Sequence, residues 1–148
     1  MSIMKIGGKS PSDTAVAVAV DANGCIKVKH IWETVIETLC NEAISDTTAH
    51  YYPSPSTNLD VSDFALLSIR VNNKSDQPVS LILADKGNYM QNSEGNHNQV
   101  TVDARKKIVI TAEDWPCLNV VPEFSIRVKY GTAPTNSGKL EIFVNKKR

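Results

Sequence analysis

The chain has 148 residues, of which 16 are basic and 16 are acidic, so its formal net charge is zero. This length suits one domain, and the charge balance favours neither a nucleic-acid partner nor an anionic membrane. Three cysteines exclude a fully paired disulfide framework, and no apolar run has the length of a signal peptide core or a membrane span. We expect a soluble protein with reduced thiols that is not exported by the standard route.

The N-terminal residues have the composition of a loop. Gly7-Gly8 and the run Ser10-Pro11-Ser12-Asp13 disfavour regular structure. Residues 1–13 are therefore predicted to form a flexible N-terminal arm. Residues 14–148 are predicted to form a single β-sandwich domain.

A hairpin is predicted directly after the arm. Residues 14–20 and 25–30 are two β-prone runs, and Asn23-Gly24 lies between them. Asn and Gly both accept the positive φ angles that a tight hairpin turn requires, so the two runs are predicted to pair.

The segment 31–44 fits two structures. Its apolar residues follow the i, i+3, i+4, i+7 spacing of an amphipathic helix: Trp32, Val35, Ile36, Leu39, Cys40 and Ala43. Its content of Trp, Thr, Val and Ile, the missing capping residue before Ile31 and the strands predicted on both sides favour a strand instead. Both structures stay open, so the predicted all-β architecture has room for one short helix at 31–44.

Two apolar runs form the unit around which the rest is arranged. Residues 66–71 and 79–83 are rich in apolar and β-branched side chains, and the turn-forming segment 72–78 separates them. In the first run the residues alternate, with Leu67, Ile69 and Val71 on one face and Ser68 and Arg70 on the other. This is the period of a strand with one solvated face, and we predict a hairpin-like unit.

The remaining strands are short and separated by turn-rich segments. They are predicted at residues 47–52, 100–102, 107–111, 124–130 and 140–145, and residues 84–99 are predicted to form a long polar surface loop. The chain then has roughly seven to nine strands, with connections too short for helical crossovers. The predicted fold class is all-β, as a mainly antiparallel β-sandwich or jelly roll. The terminal cluster Lys146-Lys147-Arg148 is interpreted as a solvated tail.

No arrangement of residues in the sequence indicates catalysis. There is no Gly-x-Ser-x-Gly elbow, P-loop or Gly-x-Gly-x-x-Gly motif. The histidines lack a second ligand at metal-binding spacing, and three aspartates lack the dense acidic loop of a calcium motif: His30, His50 and His97, and Asp60, Asp63 and Asp85. We predict a protein that is not an enzyme and has no cofactor or metal, with these residues in ordinary strand and turn roles.

Aromatic side chains are the remaining candidates for ligand contact. Rings on a sandwich face or in a loop can stack on sugars, and Tyr89 has polar neighbours that can bind hydroxyl groups. Tyr89, Tyr51 and Trp115 are therefore candidate glycan-binding residues. The competing interpretation places Trp115 in the core or an interface and the tyrosines at an ordinary rim, and the general burial of tryptophan favours it.

Two segments resemble small virion structural proteins of tailed bacteriophages and prophages. Residues 16–28, VAVAVDANGCIKV, are similar to the valine-rich opening with Asp-x-x-Gly that such proteins have near their N-terminus. Residues 59–79, LDVSDFALLSIRVNNKSDQPV, resemble a stretch of the β-sandwich modules in phage tail, head-fibre and decoration proteins, with Phe64 in place of the usual tyrosine.

The resemblance implies a structural or host-contacting protein of a virion, made in the host cytoplasm, in a capsid-decoration, neck or tail position. Its expected partners are other virion proteins and further copies of itself, with neither nucleic-acid binding nor membrane insertion. The arm residues Ile3, Met4, Lys5 and Ile6 are expected to contact the partner, because flexible ends often become ordered on assembly. Bacterial carbohydrate-binding modules contain similar strand sequences, so a module that binds host-surface glycans is the second hypothesis.

Overall fold

The computed structural model describes residues 3–4, 18–20, 22–23, 26–27, 33–90 and 98–148. It divides the chain into two compact units, Met1–Trp32 and Glu33–Arg148. The arm boundary that we predicted between residues 13 and 14 lies outside the described residues and stays a prediction.

The first unit contains a three-stranded antiparallel sheet. Its strands are β1 (Ile3–Met4), β2 (Val18–Val20) and β3 (Ile26–Lys27), in the order β1-β2-β3. Strand β2 pairs with β3 across a turn at residues 22–23. The hairpin that we predicted from Asn23-Gly24 is therefore confirmed.

The second unit is a β-sandwich built from ten described strands and one 3-10 helix. These are β4 (Thr34–Glu42), β5 (His50–Tyr52), β6 (Leu59–Asp60), β7 (Leu66–Asn73), β8 (Val79–Asp85), β9 (Asn88–Tyr89), β10 (Gln99–Val102), β11 (Lys107–Ile110), the 3-10 helix Pro116–Asn119, β12 (Glu123–Tyr130) and β13 (Leu140–Lys147). One sheet has four strands in the order β11-β7-β13-β4. The other has six, in the order β10-β8-β12-β5, with β9 beside β8 and β6 beside β12.

Every described strand pair is antiparallel, so the predicted all-β sandwich is confirmed. The core lies between the two sheets. The four-stranded sheet contributes fully buried residues such as Ile69, Val71 and Ile142, and the six-stranded sheet contributes residues such as Leu81 and Ile126. Alternate residues of each long strand face this core, because successive side chains of a strand point to opposite faces.

Residues 34–42 form a strand, and this settles the open choice between helix and strand for the described part of segment 31–44. Strand β4 pairs with β13 along its whole length. The register shifts at Leu39, where a β-bulge places both Leu39 and Cys40 toward the core. The extra residue produces the adjacent apolar pair Leu39-Cys40, and the outward-facing Ile36 produces the pair Val35-Ile36, so together they imitate the spacing of a helix.

The predicted hairpin-like unit is corrected by the sheet topology. Strands β7 and β8 both exist, but β7 lies in the four-stranded sheet and β8 in the six-stranded sheet. Their apolar faces are therefore packed against each other across the core instead of side by side. Strands β10 and β11 are divided between the two sheets in the same way.

Part of the predicted polar loop 84–99 is a tight hairpin. Strand β8 continues to Asp85 and turns back into β9 through Lys86 and Gly87, which have φ angles of 45° and 83°. Positive φ at both turn residues is the geometry of a two-residue hairpin turn. Residues 91–97 lie outside the described part.

The C-terminal residues are also more structured than predicted. Lys146 is only 6% exposed, and its Nζ lies 2.6 Å from Glu37 Oε2. The backbones of Arg148 and Glu33 exchange two hydrogen bonds. The solvated tail that we predicted is therefore the end of strand β13, because its alternate residues face the sandwich interior.

Candidate functional site

Two of the three predicted glycan-binding residues lie on the outer face of the six-stranded sheet. Tyr51 is the cross-strand partner of Arg127, and Tyr89 is the partner of Ala84 in the neighbouring strand. The Arg127 guanidinium lies 5.2 Å from the centroid of the Tyr89 ring. Directly paired residues of antiparallel strands share a face, so the sheet brings the two tyrosines together with Arg127 between them.

Trp115 does not belong to this group. Its side chain is 1% exposed and packs in the hydrophobic core directly before the 3-10 helix. A ring without an exposed face cannot stack on a sugar, so Trp115 is corrected to a core residue. Tyr89 is 44% exposed and Tyr51 is half-buried.

The tyrosine pair has polar chemistry beside it. Within the described residues, Arg127 Nε and Ser125 Oγ are buried and have no hydrogen-bond partner. A guanidinium beside an aromatic ring can bind carboxylate or hydroxyl oxygens. The arrangement can thus offer one stacking surface and one cationic donor to a ligand.

The opposite outer face, that of the four-stranded sheet, carries a different surface. Ile36, Leu66 and Val109 point outward and are 58%, 52% and 56% exposed. Phe143 lies on the same face, with the Arg70 guanidinium 4.8 Å from its ring centroid. We call Ile36, Leu66, Val109 and Phe143 the apolar face.

The strand register places these four residues on one side. Val109 is paired with Arg70, which is paired with Phe143. Ile36 is paired with Asn145 and Leu66 with Lys147, and both of those lie an even number of residues from Phe143 on β13. The apolar face therefore spans all four strands of the sheet.

A groove of about 200 Å³ lies between the segment 61–67 and the segment 118–122. Val120 lines it and is 79% exposed. Phe64 also lines it and has the Lys146 Nζ 4.7 Å and the Arg148 guanidinium 5.5 Å from its ring centroid. A second groove, of about 140 Å³, shares Leu67 with the first and lies beside Leu66. Both grooves have the size of single apolar side chains.

The predicted arm residues are only partly described. Ile3 and Met4 form β1 and are paired with Ala19 and Val18 of β2. Lys5 and Ile6 lie outside the described residues. The backbones of Ile3 and Met4 therefore lie in a sheet. The role of the four arm residues in partner contact stays a prediction.

Several other predicted residues have local roles. The Asp60 carboxylate accepts hydrogen bonds from the Ser62 backbone and hydroxyl, as a turn residue does. His50 Nε2 lies 2.9 Å from Asp46 Oδ1. Cys40 and Cys117 are free thiols, and burial raises the pKa of Cys40. His30, His97 and Cys25 lie outside the described residues.

The described residues show neither a cluster of metal ligands nor a membrane-spanning helix. They contain no group of three or more His, Cys, Asp or Glu side chains that could hold a metal ion. They also contain no helix whose length and apolar character would allow it to cross a membrane.

The apolar face was not predicted from the sequence, although a signal for it exists. In strand β7 the sequence predicts that Ser68 and Arg70 point outward, because they alternate with apolar residues, and the structure confirms this prediction. Val109 follows the exposed Lys107 by two positions and must share its outward direction. An apolar residue at an outward position is the pattern that identifies this surface.

Comparisons with known proteins give a limited result. No family model and no curated protein matches the sequence. The SPBc2 prophage-derived protein YomS has 9% identity and a TM-score of 0.46, with 82% of this chain and 99% of that chain covered. A chain of the cyanophage Pam1 capsid asymmetric unit has 12% identity and a TM-score of 0.37, with 87% and 96% covered.

A chain from the structure of infectious bursal disease virus Gx strain has 10% identity and a TM-score of 0.30, with 98% of this chain and 36% of that chain covered. All three identities and TM-scores are low. The function of this chain therefore has to follow from its own residues.

Proposed function

We propose that this chain is a structural protein of a bacteriophage virion that acts through protein-protein assembly. The observation that carries the proposal is the apolar face, which exposes three large aliphatic side chains on one sheet. Large exposed apolar patches often mark protein interaction sites, and we infer such a site from these three side chains together with Phe143. The resemblance of residues 16–28 and 59–79 to phage virion proteins supplies the context.

The proposed partners are other virion proteins, in a capsid-decoration, neck or tail position, and further copies of this chain. Val120 adds a further exposed apolar side chain at one end of the sandwich. An apolar pocket of the partner that takes up Val120 would supply the buried anchor that interface cores use. The N-terminal residues Ile3, Met4, Lys5 and Ile6 are proposed to add contacts to the same assembly.

Uptake by particles tests this function. Particles produced without the chain should bind the purified protein to a saturable level. Val109→Lys should reduce that uptake at least about tenfold, because it places a charge in the apolar face. Thr101→Lys is the matched control, since it adds the same side chain at an exposed position of the other sheet. Equal uptake of both variants would contradict the role of the apolar face.

The arm contribution has its own test. Deletion of residues 1–13 should weaken uptake by the same particles while the sandwich remains folded. The thermal unfolding midpoint of the truncated chain serves as the folding control. Unchanged uptake by the truncated chain would remove the arm from the proposal.

A glycan-binding module is the second candidate, and the shared face of Tyr51, Tyr89 and Arg127 favours it. The hypothesis predicts binding to host-surface polysaccharides on a glycan array, and loss of that binding in Tyr89→Ala. Trp115 has no part in it. Absence of binding to every such glycan would rule out this candidate and leave the assembly role unaffected.

A further inference from the structure

The four edges of the two sheets differ in length and protection. Strand β4 is a nine-residue edge of the four-stranded sheet, whereas the edges β5, β10 and β11 have three, four and four residues. Strand β5 is followed by Pro53, and β11 begins at Lys107 after Lys106. Proteins prevent edge pairing with short strands, proline, charged side chains and β-bulges. Strand β4 has neither proline nor lysine, its bulge at Leu39 lies beyond Thr38, and its inward Glu37 is paired with Lys146.

The free hydrogen-bonding groups of β4 can be assigned from its pairing with β13. Glu33 and Arg148 exchange two backbone hydrogen bonds. Because such pairs alternate along an antiparallel ladder, Val35 and Glu37 also direct their backbone groups toward β13. The backbone groups of Thr34, Ile36 and Thr38 therefore point to the open side.

An independent contact supports this assignment. The backbone N–H of Ala65 donates to the Lys147 carbonyl, 2.9 Å away, on the far side of β13 from β4. Lys147 is the partner of Thr34. The backbone carbonyl of Lys147 thus points away from β4. This is the arrangement expected when the backbone groups of its partner Thr34 point to the outer side of β4. Within the described residues, no strand other than β13 pairs with β4.

We propose that the β4 edge pairs with the β4 edge of a second copy of this chain, antiparallel, with the two-fold axis at Ile36. The three residues with free backbone groups are Thr34, Ile36 and Thr38, a set that reads the same in both directions. The axis places Ile36 against Ile36 of the copy, and each Thr34 against the copy's Thr38. Each of these three pairs exchanges two backbone hydrogen bonds.

The side chains agree with this register. Ile36 is 58% exposed in the single chain and loses part of that exposure against its own counterpart. Val35 comes opposite the copy's Glu37, so no like charges face each other, and Glu37 already has Lys146 Nζ 2.6 Å away. The two four-stranded sheets become one continuous sheet, and the two apolar faces join at Ile36.

This inference deepens the self-assembly part of the proposed function, but its physical basis is the β4 edge alone. A second copy is favoured over an unrelated strand because this register packs Ile36 against its own counterpart and opposes no like charges. A dimer in solution combined with absence from virus particles would refute the virion role and leave this interface intact.

Light scattering coupled to size exclusion over a concentration series tests the proposal. The wild-type chain is expected to form a dimer, and Ile36→Lys is expected to raise the dissociation constant at least about tenfold, since it opposes two charges at the axis. Thr101→Lys is the matched control, since Thr101 is exposed on the other sheet, and it should dimerise like the wild type. A monomer at every concentration, or a dimer that Ile36→Lys leaves unchanged, would overturn the proposal.

Cross-linking tests the register without depending on the lysine variant. In Ile36→Cys the two introduced thiols lie in a directly paired position, where Cα atoms about 5.5 Å apart suit a disulfide. Thr34→Cys places its thiols four residues apart along the paired strands, about 13 Å, and should form no disulfide. Mild oxidation should therefore give a covalent dimer above the wild-type background in Ile36→Cys alone. The reverse result would contradict the proposed register.

Discussion

Asn73 is the residue that connects the two crossovers between the sheets. It is fully buried, and its amide group lies 2.8 Å from the Gln77 carbonyl and 3.1 Å from the Val102 carbonyl. Its Oδ1 accepts a hydrogen bond from the Ser75 hydroxyl at 2.7 Å. One side chain thus binds both the segment that leads into β8 and the segment that leads out of β10.

Replacement of Asn73 by alanine should therefore destabilise the fold strongly. The buried carbonyls and the Ser75 hydroxyl would lose their partner, and we expect the free energy of unfolding to fall by about 3 kcal/mol. Asn119→Ala is the control, because Asn119 is exposed and its loss should cost less than about 0.5 kcal/mol. Urea unfolding of both variants measures the difference, and similar midpoints would contradict this role of Asn73.

Acid stability also depends on individual side chains. The hydrogen bond from His50 lowers the pKa of Asp46 to about 2, and Lys74 lowers the pKa of Glu141 from its ordinary value of 4.5. Thr135 lowers the pKa of Asp76, and the Ser62 backbone N–H lowers that of Asp60. All four carboxylates take up protons more readily in the unfolded chain than in the folded one.

Stability from these groups should be complete above pH 4.5 and should decrease as the pH falls toward 2. Urea unfolding midpoints measured across this range should decline steadily. In Asp76→Asn, which cannot ionise, the decline should be smaller. A midpoint that stays constant down to pH 2, or an equally steep decline in the variant, would contradict the assignment.

At the scale of elements, the loop between β12 and β13 packs tightly on the crossover that follows β7. Lys74 donates its backbone N–H to the Lys139 carbonyl, 3.0 Å away, and Thr135 donates its hydroxyl to Asp76. A Cβ atom added at Gly138 would lie 2.0 Å from the Lys74 carbonyl oxygen. The crossover can take this path only because residue 138 has no side chain.

Gly138→Ala should therefore destabilise the protein by more than about 2 kcal/mol, because backbone atoms would have to move. Gly131→Ala is the matched control in the same loop, since a Cβ there has nothing within 4 Å. Thermal unfolding of the two variants gives the comparison. Equal unfolding midpoints would show that the loop and the crossover are not tightly coupled.

The sequence predicts these strands better than it predicts their partners. The alternation in residues 124–130 and 140–145 identifies β12 and β13, because each has one buried face. The same alternation occurs whether β7 and β8 pair in one sheet or face each other across the core. The distinction lies in the long-range pairing of β7 with β11 and β13 and of β8 with β10 and β12, which the turn residues do not reveal.

The candidate sites show a similar limit. Tyr51 and Tyr89 are 38 positions apart in the sequence, and only the register of β5, β8, β9 and β12 brings them to one face. For Trp115 the general burial of tryptophan favours the core over a stacking surface, and the structure places it in the core. The outward direction of Val109 could have been predicted from its distance to Lys107.

At the scale of the whole molecule, the two outer faces of the sandwich have different chemistry. The four-stranded sheet offers the apolar face and the long edge β4, whose outer side pairs with no other described strand, and the six-stranded sheet offers two tyrosines beside Arg127. Assembly on one face leaves the other accessible to solvent. We therefore expect Val109→Lys to impair assembly without loss of any glycan binding, and Tyr89→Ala to have the opposite effect.

The central claim is that the chain is part of a virion, and the composition of purified particles tests it most directly. Virus particles released by cells that carry the gene for this chain would be purified on a density gradient and quantified by mass spectrometry. We predict a constant number of copies relative to the major capsid protein in every particle fraction. A chain that is abundant in the lysate but absent from the particles would contradict the account.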